Sequence, residues 1–451
     1  MAPPPTYTIN LALPPRERYT HVVADYIDTL RQLPTLFDET ITYWKLPVSP
    51  CHFLARMFFR RLYSDEQTEE LQGISEACGI PLYIFVALNV FIDATMACTS
   101  GGVLVQEPGS QEASMLHFRS LDWIKDMLRN AIAQFEFVEQ SGGQVIASTL
   151  GFVGHVGVLT GVRKGLSVSF NYRPACQDKA LAGGERVRYH WNTLMVLMGK
   201  RPSVSTLLRE CLLPRLVEQR KGGRGGLFKR WMKKAGKSGF TVTEKMPAYG
   251  VEDVIRLMPT LHTPVGYIIF CTGAETVILE KGFLGGKVLR SSSFLVAANH
   301  DAAIDNPPPT KAAIPHTLPT TEEDTRCNKH LTRRWLAWKE ERAREGSEGQ
   351  SPQDMEKSIQ RKKALTKRWL DWKEEQERNE SQQASMSLAR LLELIQFFPL
   401  MNSKTHFLCV MDPHKGAFCW VEKFAEGEVK RKYDTGQPRT LSGSRGDERG
   451  D

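Results

Sequence analysis

A chain of 451 residues with 41% hydrophobic content can bury the core of one large domain or of two to three average ones. No run approaches the roughly 18 apolar residues that a membrane span needs. The net charge of +8 traces to residues 219–238, which hold eight Lys or Arg and no acid, so the rest of the chain is balanced and a generally nucleic-acid-binding protein is not implied.

The nine cysteines are scattered, odd in number and without CxxC pairs, which argues against a disulfide framework and a zinc site. Most read as buried thiols behaving as small hydrophobes. Met1-Ala2-Pro3-Pro4-Pro5 offers neither a basic n-region nor an apolar h-region, so the expectation is no secretory signal and a cytoplasmic chain.

In chain order, residues 4–13 alternate as a strand and Tyr19 to Phe37 carries apolar residues at helical spacing. Ser64-Asp65-Glu66-Gln67 is a capping box for a helix through Cys78, with Leu71, Ile74 and Cys78 on one face and Gly79 and Pro81 ending it. Short β-branched or apolar segments punctuated by Gly predict strands over 101–106, 114–118, 145–149, 155–160 and 166–171. Val187 to Leu212 reads as a single helix. The basic stretch 219–238 carries five glycines, four of them within 222–226, and reads as a solvated loop. A short helix over 251–257 and strands over 265–271, 276–280, 287–289 and 294–298 follow.

Residues 302–385 are Pro-rich, then strongly charged, and contain a local duplication: the eleven residues from Leu331 recur from Leu365, 34 residues on. Two copies fall short of the roughly three that a solenoid needs. An amphipathic helix over 387–398, a hairpin over 405–411 and 417–423, and a polar, disordered tail over 424–451 complete the reading. Periodicity alone gives an α+β class.

The most informative stretch is Asn89 to Trp123. An apolar or small run leads into Cys98-Thr99-Ser100-Gly101-Gly102, and after a polar loop comes His117-Phe118-Arg119-Ser120-Leu121-Asp122. Cys-Thr-Ser followed by His-x-Arg-x-Leu-Asp resembles acid ceramidase and N-acylethanolamine acid amidase, in the cholylglycine hydrolase branch of the N-terminal-nucleophile hydrolases. Further matching blocks occur in one order: Tyr7-Thr8-Ile9-Asn10-Leu11, Pro14-Pro15-Arg16-Glu17-Arg18, Gly154-His155-Val156-Gly157, Asn171-Tyr172-Arg173 and Asn299-His300-Asp301.

The resemblance implies a four-layer αββα sandwich. It divides the chain into an N-terminal α-subunit-like segment (1–97), an amidase domain (98–423) with a basic insertion (219–238) and a charged insertion (302–385), and the tail (424–451). It implies self-cleavage at Ala97–Cys98 with the two fragments retained together. Cys98, as a new N-terminus, then supplies both the nucleophilic thiol and, in its α-amine, the base. Arg119 is implied to lower the thiol pKa and orient the acyl carbonyl, and Asp122 to hold the ammonium. Asn171 and Asn299 supply amide donors for the oxyanion. The family's second arginine falls in the charged insertion, where Arg326 and Arg361 are both candidates.

Two departures stand out. Tyr172 occupies a position that is Glu in ceramidases, and the family's animal members are lysosomal. Set against this, Arg119 and Asp122 could form a structural ion pair, His155 and His300 read as ordinary polar residues, and the Trp-rich repeats read as charged, exposed helices. The substrate implied is an N-acyl lipid, ceramide or an N-acylethanolamine, with no metal or organic cofactor. Leu227, Phe228, Trp231 and Met232 among the cations of 219–238 suit peripheral contact with an anionic membrane. The rival readings are a non-catalytic lipid-binding or scaffold protein that retains the fold, and a cytosolic cysteine amidase or transferase acting on small peptides.

Overall fold

The computed structural model describes residues 3–43, 45–92, 96–123, 125–174, 184–220, 241–246, 248–261, 263–302, 352–378 and 385–429. Strands β1 (Thr6–Asn10), β2 (Ala97–Gln106), β3 (Ala113–Asp122), β4 (Ile132–Val138), β5 (Val145–Phe152), β6 (Thr160–Arg163) and β7 (Leu166–Tyr172) come first. They are followed by β8 (Arg215–Arg220), β9 (Thr241–Met246), β10 (Gly266–Cys271), β11 (Thr276–Lys281), β12 (Gly286–Ser291) and β13 (Phe294–Ala297), then β14 (Thr405–Asp412) and β15 (Ala417–Lys423). One sheet has eight strands in the order β1-β4-β5-β6-β7-β10-β11-β12, a second has five in the order β13-β2-β3-β14-β15, and β8 and β9 pair separately.

Alternation along the strands sorts their side chains between layers. On β7, Val168 and Phe170 join a core built with helices Thr20–Leu30, Asp65–Cys78, Leu82–Phe91 and Val204–Leu212. The alternate residues Ser167, Ser169 and Asn171 face the five-stranded sheet, where His117 lies within 2.9 and 2.8 Å of the two serine hydroxyls and Ser100 donates to Asn171 Oδ1 at 2.8 Å. On the far side of that sheet, Val103, Val105, Leu116, Phe118, Leu408 and Val410 pack against Leu365 of helix Pro352–Arg378 and Leu391, Leu394 and Ile395 of helix Leu388–Ile395. The layers run helix, sheet, sheet, helix, the expected αββα sandwich. Each fully buried Leu, Ile or Phe contributes about 1.5–3 kcal/mol to holding them together.

Several local expectations hold. Ser64 caps its helix, accepting from Gln67 N at 3.3 Å, and Gly79 ends it with φ of 72°. Others do not. The expected helix over 187–212 is two, Gly184–Leu197 and Val204–Leu212, because Gly199 (φ 64°) and Pro202 break it and Ser203 starts a new cap, accepting from Thr206 N at 3.1 Å.

Residues 155–159 form no strand, since their backbone groups are taken by other partners. Gly154 turns the chain at φ of 91°, and the Asn89 side chain donates to Gly154 O at 2.8 Å and accepts from Val156 N at 2.9 Å. Arg209 donates to Val156 O at 2.7 Å, Val158 N to Ser205 O at 3.0 Å, and Arg119 to Leu159 O. Strand β4 has no counterpart in the sequence-based assignment, although Phe135 and Phe137 alternate with the less buried Gln134 and Glu136.

The charged region also differs. Helix Pro352–Arg378 contains the second copy of the duplication and is packed, with Met355, Ser358, Arg361 and Leu365 all buried and Trp369 stacked on Phe294 at 4.7 Å. Phe424 and Val429 are 1% exposed, so order continues past 423 into the expected tail. The first copy (331–341), the basic residues 221–238 and Arg326 lie outside the described residues.

Candidate active site

Cys98 sits near the start of β2, directly across from Leu121 of β3, with Ala97 opposite Asp122 and Ser100 opposite Arg119. The small residues after it have a steric reason. A Cβ at Gly101 would run into the Leu295 carbonyl, and one at Gly102 into the Thr276 side chain, so the two glycines let β13 pair with β2 and the eight-stranded sheet close against it. The Cys98 side chain shares its face with Ser100, between the sheets, and is fully buried.

Arg119 is also fully buried and donates from Nη2 to Cys98 Sγ at 3.2 Å. The rest of its guanidinium is held by the Leu159 and Phe170 carbonyls and Thr160 Oγ1, while its Nε has no hydrogen-bond partner. Burial pushes the Cys98 thiol pKa up, and Arg119 pulls against that shift, as does Arg361. A thiol so placed needs a base to become a nucleophile. A cavity of about 10 Å³ is lined by Leu121, Leu159, Thr160 and His155 among others, with room for about one water, and Cys98 does not line it.

The backbone N–H of Cys98 donates to Asn299 Oδ1 at 2.9 Å. Asn299 Oδ1 also accepts from Arg361 Nη2 at 3.3 Å, and Arg361 Nη1 donates to Asp122 Oδ2 at 2.9 Å. Asp122 further accepts from Asn402 Nδ2 and Thr405 Oγ1, both at 2.7 Å. Asn171 and Asn299 are both fully buried, and each spends amide N–H on a carbonyl: Asn171 on Ala297 O at 3.1 Å, Asn299 on Tyr172 O at 2.8 Å. In the uncut chain these amides are therefore engaged with the backbone.

Six of the seven candidate residues thus converge, and of the two candidate arginines it is Arg361 that meets Asp122 and Asn299. Asp122 pairs with Arg361, and among the described residues no ion pair joins it to Arg119, so the simple Arg119–Asp122 pair is not what holds the site. His155 is buried, its pKa lowered to about 3 by desolvation and then Arg209, and it is neutral at ordinary pH. His300 lies 2.9 Å from Ser358 Oγ rather than against the thiol.

Sequence reasoning missed several supports. Asn402 and Thr405 lie 280 and 283 residues from the Asp122 they hold, with no shared motif to connect them. Arg173 and Asp301 pair through two bonds of 2.7 Å, with Tyr267 OH donating to the same carboxylate, and so tie the loop after Asn171 to the loop after Asn299. Their signal was present, since both residues close matching blocks.

The site is thus a buried cysteine at the head of a strand between two sheets, with an arginine on its thiol and an asparagine on its backbone nitrogen. A family model described as the beta subunit of N-acylethanolamine-hydrolyzing acid amidase matches residues 2–63. A Caenorhabditis elegans N-acylethanolamine-hydrolyzing acid amidase is 33% identical over 181 residues, covering 38% of this chain and 48% of the relative. Acid ceramidase of Mus musculus is 29% identical over 192 residues (38% and 46%), and that of Homo sapiens 25% over 190 (38% and 45%). The chain spans about half the length of the curated relatives it matches. A solved structure of a Caenorhabditis elegans N-acylethanolamine-hydrolyzing acid amidase ortholog aligns with a TM-score of 0.39 at 18% identity, over 70% of this chain and 93% of that one. Over these spans the chain is similar to acid ceramidase and N-acylethanolamine-hydrolyzing acid amidase.

Proposed function

We propose that the chain is an N-acyl amide hydrolase of lipid-type substrates that acts through Cys98 after cleaving itself between Ala97 and Cys98. The observation that carries this is one residue held at two atoms: Cys98 Sγ by Arg119 at 3.2 Å and Cys98 N by Asn299 at 2.9 Å. A structural thiol needs neither contact, and the peptide nitrogen becomes the catalytic amine only if the bond before it is broken.

In the first step Cys98 Sγ bonds to the Ala97 carbonyl carbon, the Ala97–Cys98 C–N bond breaks, and the departing nitrogen takes the thiol proton. Water then splits the thioester, leaving a carboxylate on Ala97 and a free thiol and amine on Cys98. In turnover the amine, with a reference pKa of about 7.7–8.0, takes the thiol proton. The thiolate adds to the substrate's acyl carbon, the amine product leaves with that proton, and water releases the fatty acid. Arg119 steadies the thiolate and Asp122, with Arg361, holds the charged amine. Amide N–H groups of Asn299 and Asn171, freed from their backbone carbonyls, face the oxyanion; each such donor is worth a few kcal/mol.

Ceramide and N-acylethanolamines share the acyl half that such a site reads, and aliphatic pockets discriminate poorly between them. The test is acyl release from fluorescent N-acyl sphingosine and N-acylethanolamine analogues by the wild-type chain and Cys98→Ala. Release of either acyl group by the wild type, abolished in Cys98→Ala, is expected. Equal release by both proteins contradicts the proposal.

A further inference from the structure

We propose that Ser358 is a positioning residue for the reaction at Cys98, acting through Asn299; the inference rests on the reading of Cys98 as a self-processing nucleophile. Ser358 and Arg361 lie three apart on helix Pro352–Arg378, and so on one face of it. Between them they hold Asn299 twice. The Asn299 backbone N–H donates to Ser358 Oγ at 2.9 Å, and its side-chain Oδ1 accepts from Arg361 at 3.3 Å. That same Oδ1 accepts from Cys98 N at 2.9 Å, so the helix reaches the scissile nitrogen through a single asparagine.

Ser358 is fully buried. Its oxygen accepts from Asn299 while lying 2.9 Å from His300 Nδ1, so one hydroxyl serves two consecutive residues of the Asn-His-Asp block. A serine at this depth in an otherwise apolar or Arg face needs a reason, since burying a hydroxyl without partners is costly. Leu365 and Trp369 dock the helix onto β2 and β13. Ser358, bonded to the Asn299 backbone, fixes where that backbone sits, and therefore where Oδ1 meets the Cys98 nitrogen.

The experiment follows cleavage of freshly synthesised full-length chain on a denaturing gel, comparing wild type, Ser358→Ala, Ser358→Thr and Ser358→Val, with Cys98→Ala as the uncut control. Thr and Val have the same shape and differ in the hydroxyl, which separates hydrogen bonding from space. Leaving the buried Asn299 N–H without its acceptor is expected to slow cleavage about tenfold in the Ala and Val variants. Thr restores the rate to within about threefold of wild type by supplying the same oxygen. Thermal midpoints of Thr and Val that differ by little, alongside rates that differ by this much, mark positioning rather than folding.

Equal rates for Thr and Val, or a wild-type rate in Ser358→Ala, overturn the role of Ser358 while leaving Cys98 processing intact. A wild-type chain that is never cut, or a Cys98→Ala chain that is, overturns both.

Discussion

Among the described residues, two arginine–carboxylate clusters are buried on both sides, at Glu70 and at Asp122, and they are built differently. In the first, Arg209 grips both oxygens of Glu70 at 2.5 and 2.7 Å, Arg18 adds a third bond at 2.9 Å, and Arg209 also donates to a carbonyl. It joins residues before Cys98 to residues after it, and nothing reactive lies in it. In the second, Arg361 makes one bond to Asp122, a longer one to Asn299, and leaves its Nε without a partner. The Asp122 carboxylate is shared with Thr405 and Asn402. A saturated pair clamps two segments, while a pair with spare donors and shared acceptors can give up a contact when a charge appears beside it. The second pair has the build of a site, and the first has the build of a hinge pin.

Breaking the second pair is expected to have the larger effect on chemistry. Arg361→Met should lower the rate of cleavage at Ala97–Cys98 at least about a hundredfold, measured on a denaturing gel, because it removes the only cation on Asp122 among the described residues and one donor on Asn299. Breaking the first pair should do the reverse. Glu70→Gln leaves the buried Arg209 without its carboxylate, while Arg18 keeps Glu66, and should cost about 3–5 kcal/mol of stability in denaturant unfolding. It should leave the cleavage rate of the folded fraction within about twofold of wild type, and a loss of cleavage in a still-folded Glu70→Gln chain would erase the distinction.

The smallest effect concerns pH. His406 lies among Trp123 and Phe152, both its ring nitrogens lack partners, and burial followed by Arg129 lowers its pKa to about 3. In the unfolded chain the same ring protonates near 6.5. Between those values the folded state binds fewer protons, so His406 costs stability progressively as pH falls from about 6.5 towards 3. His406→Phe should remove that dependence and raise the thermal midpoint at pH 4.5 more than at pH 7.5. Equal shifts at both would show that the ring is not held neutral.

Much of the sandwich and most of the site was legible in the amino-acid sequence, for different reasons. Cys98, Arg119 and Asp122 stand close together on two adjacent strands, so their spacing survives as a short motif. Arg361 was ambiguous because its helix hides its period. Two of its inward positions, Ser358 and Arg361, are polar, and the outward face is so charged that the inward stripe of buried Met355 and Leu365 and half-buried Trp369 does not stand out. Asn402 and Thr405 could not be found at all, being brought to Asp122 only by the pairing of β14 with β3. The 155–160 error has a related origin: β-branched residues between glycines look like a strand, and only the folded chain reveals that Asn89, Arg209 and Arg119 claim their backbone groups.

The most direct measurement is the intact mass and N-terminal sequence of the purified protein. The expected result is fragments of 97 and 354 residues from this 451-residue chain, the larger beginning at Cys98, and a single uncut species in Cys98→Ala. An undivided wild-type chain that hydrolyses N-acyl amides would contradict it.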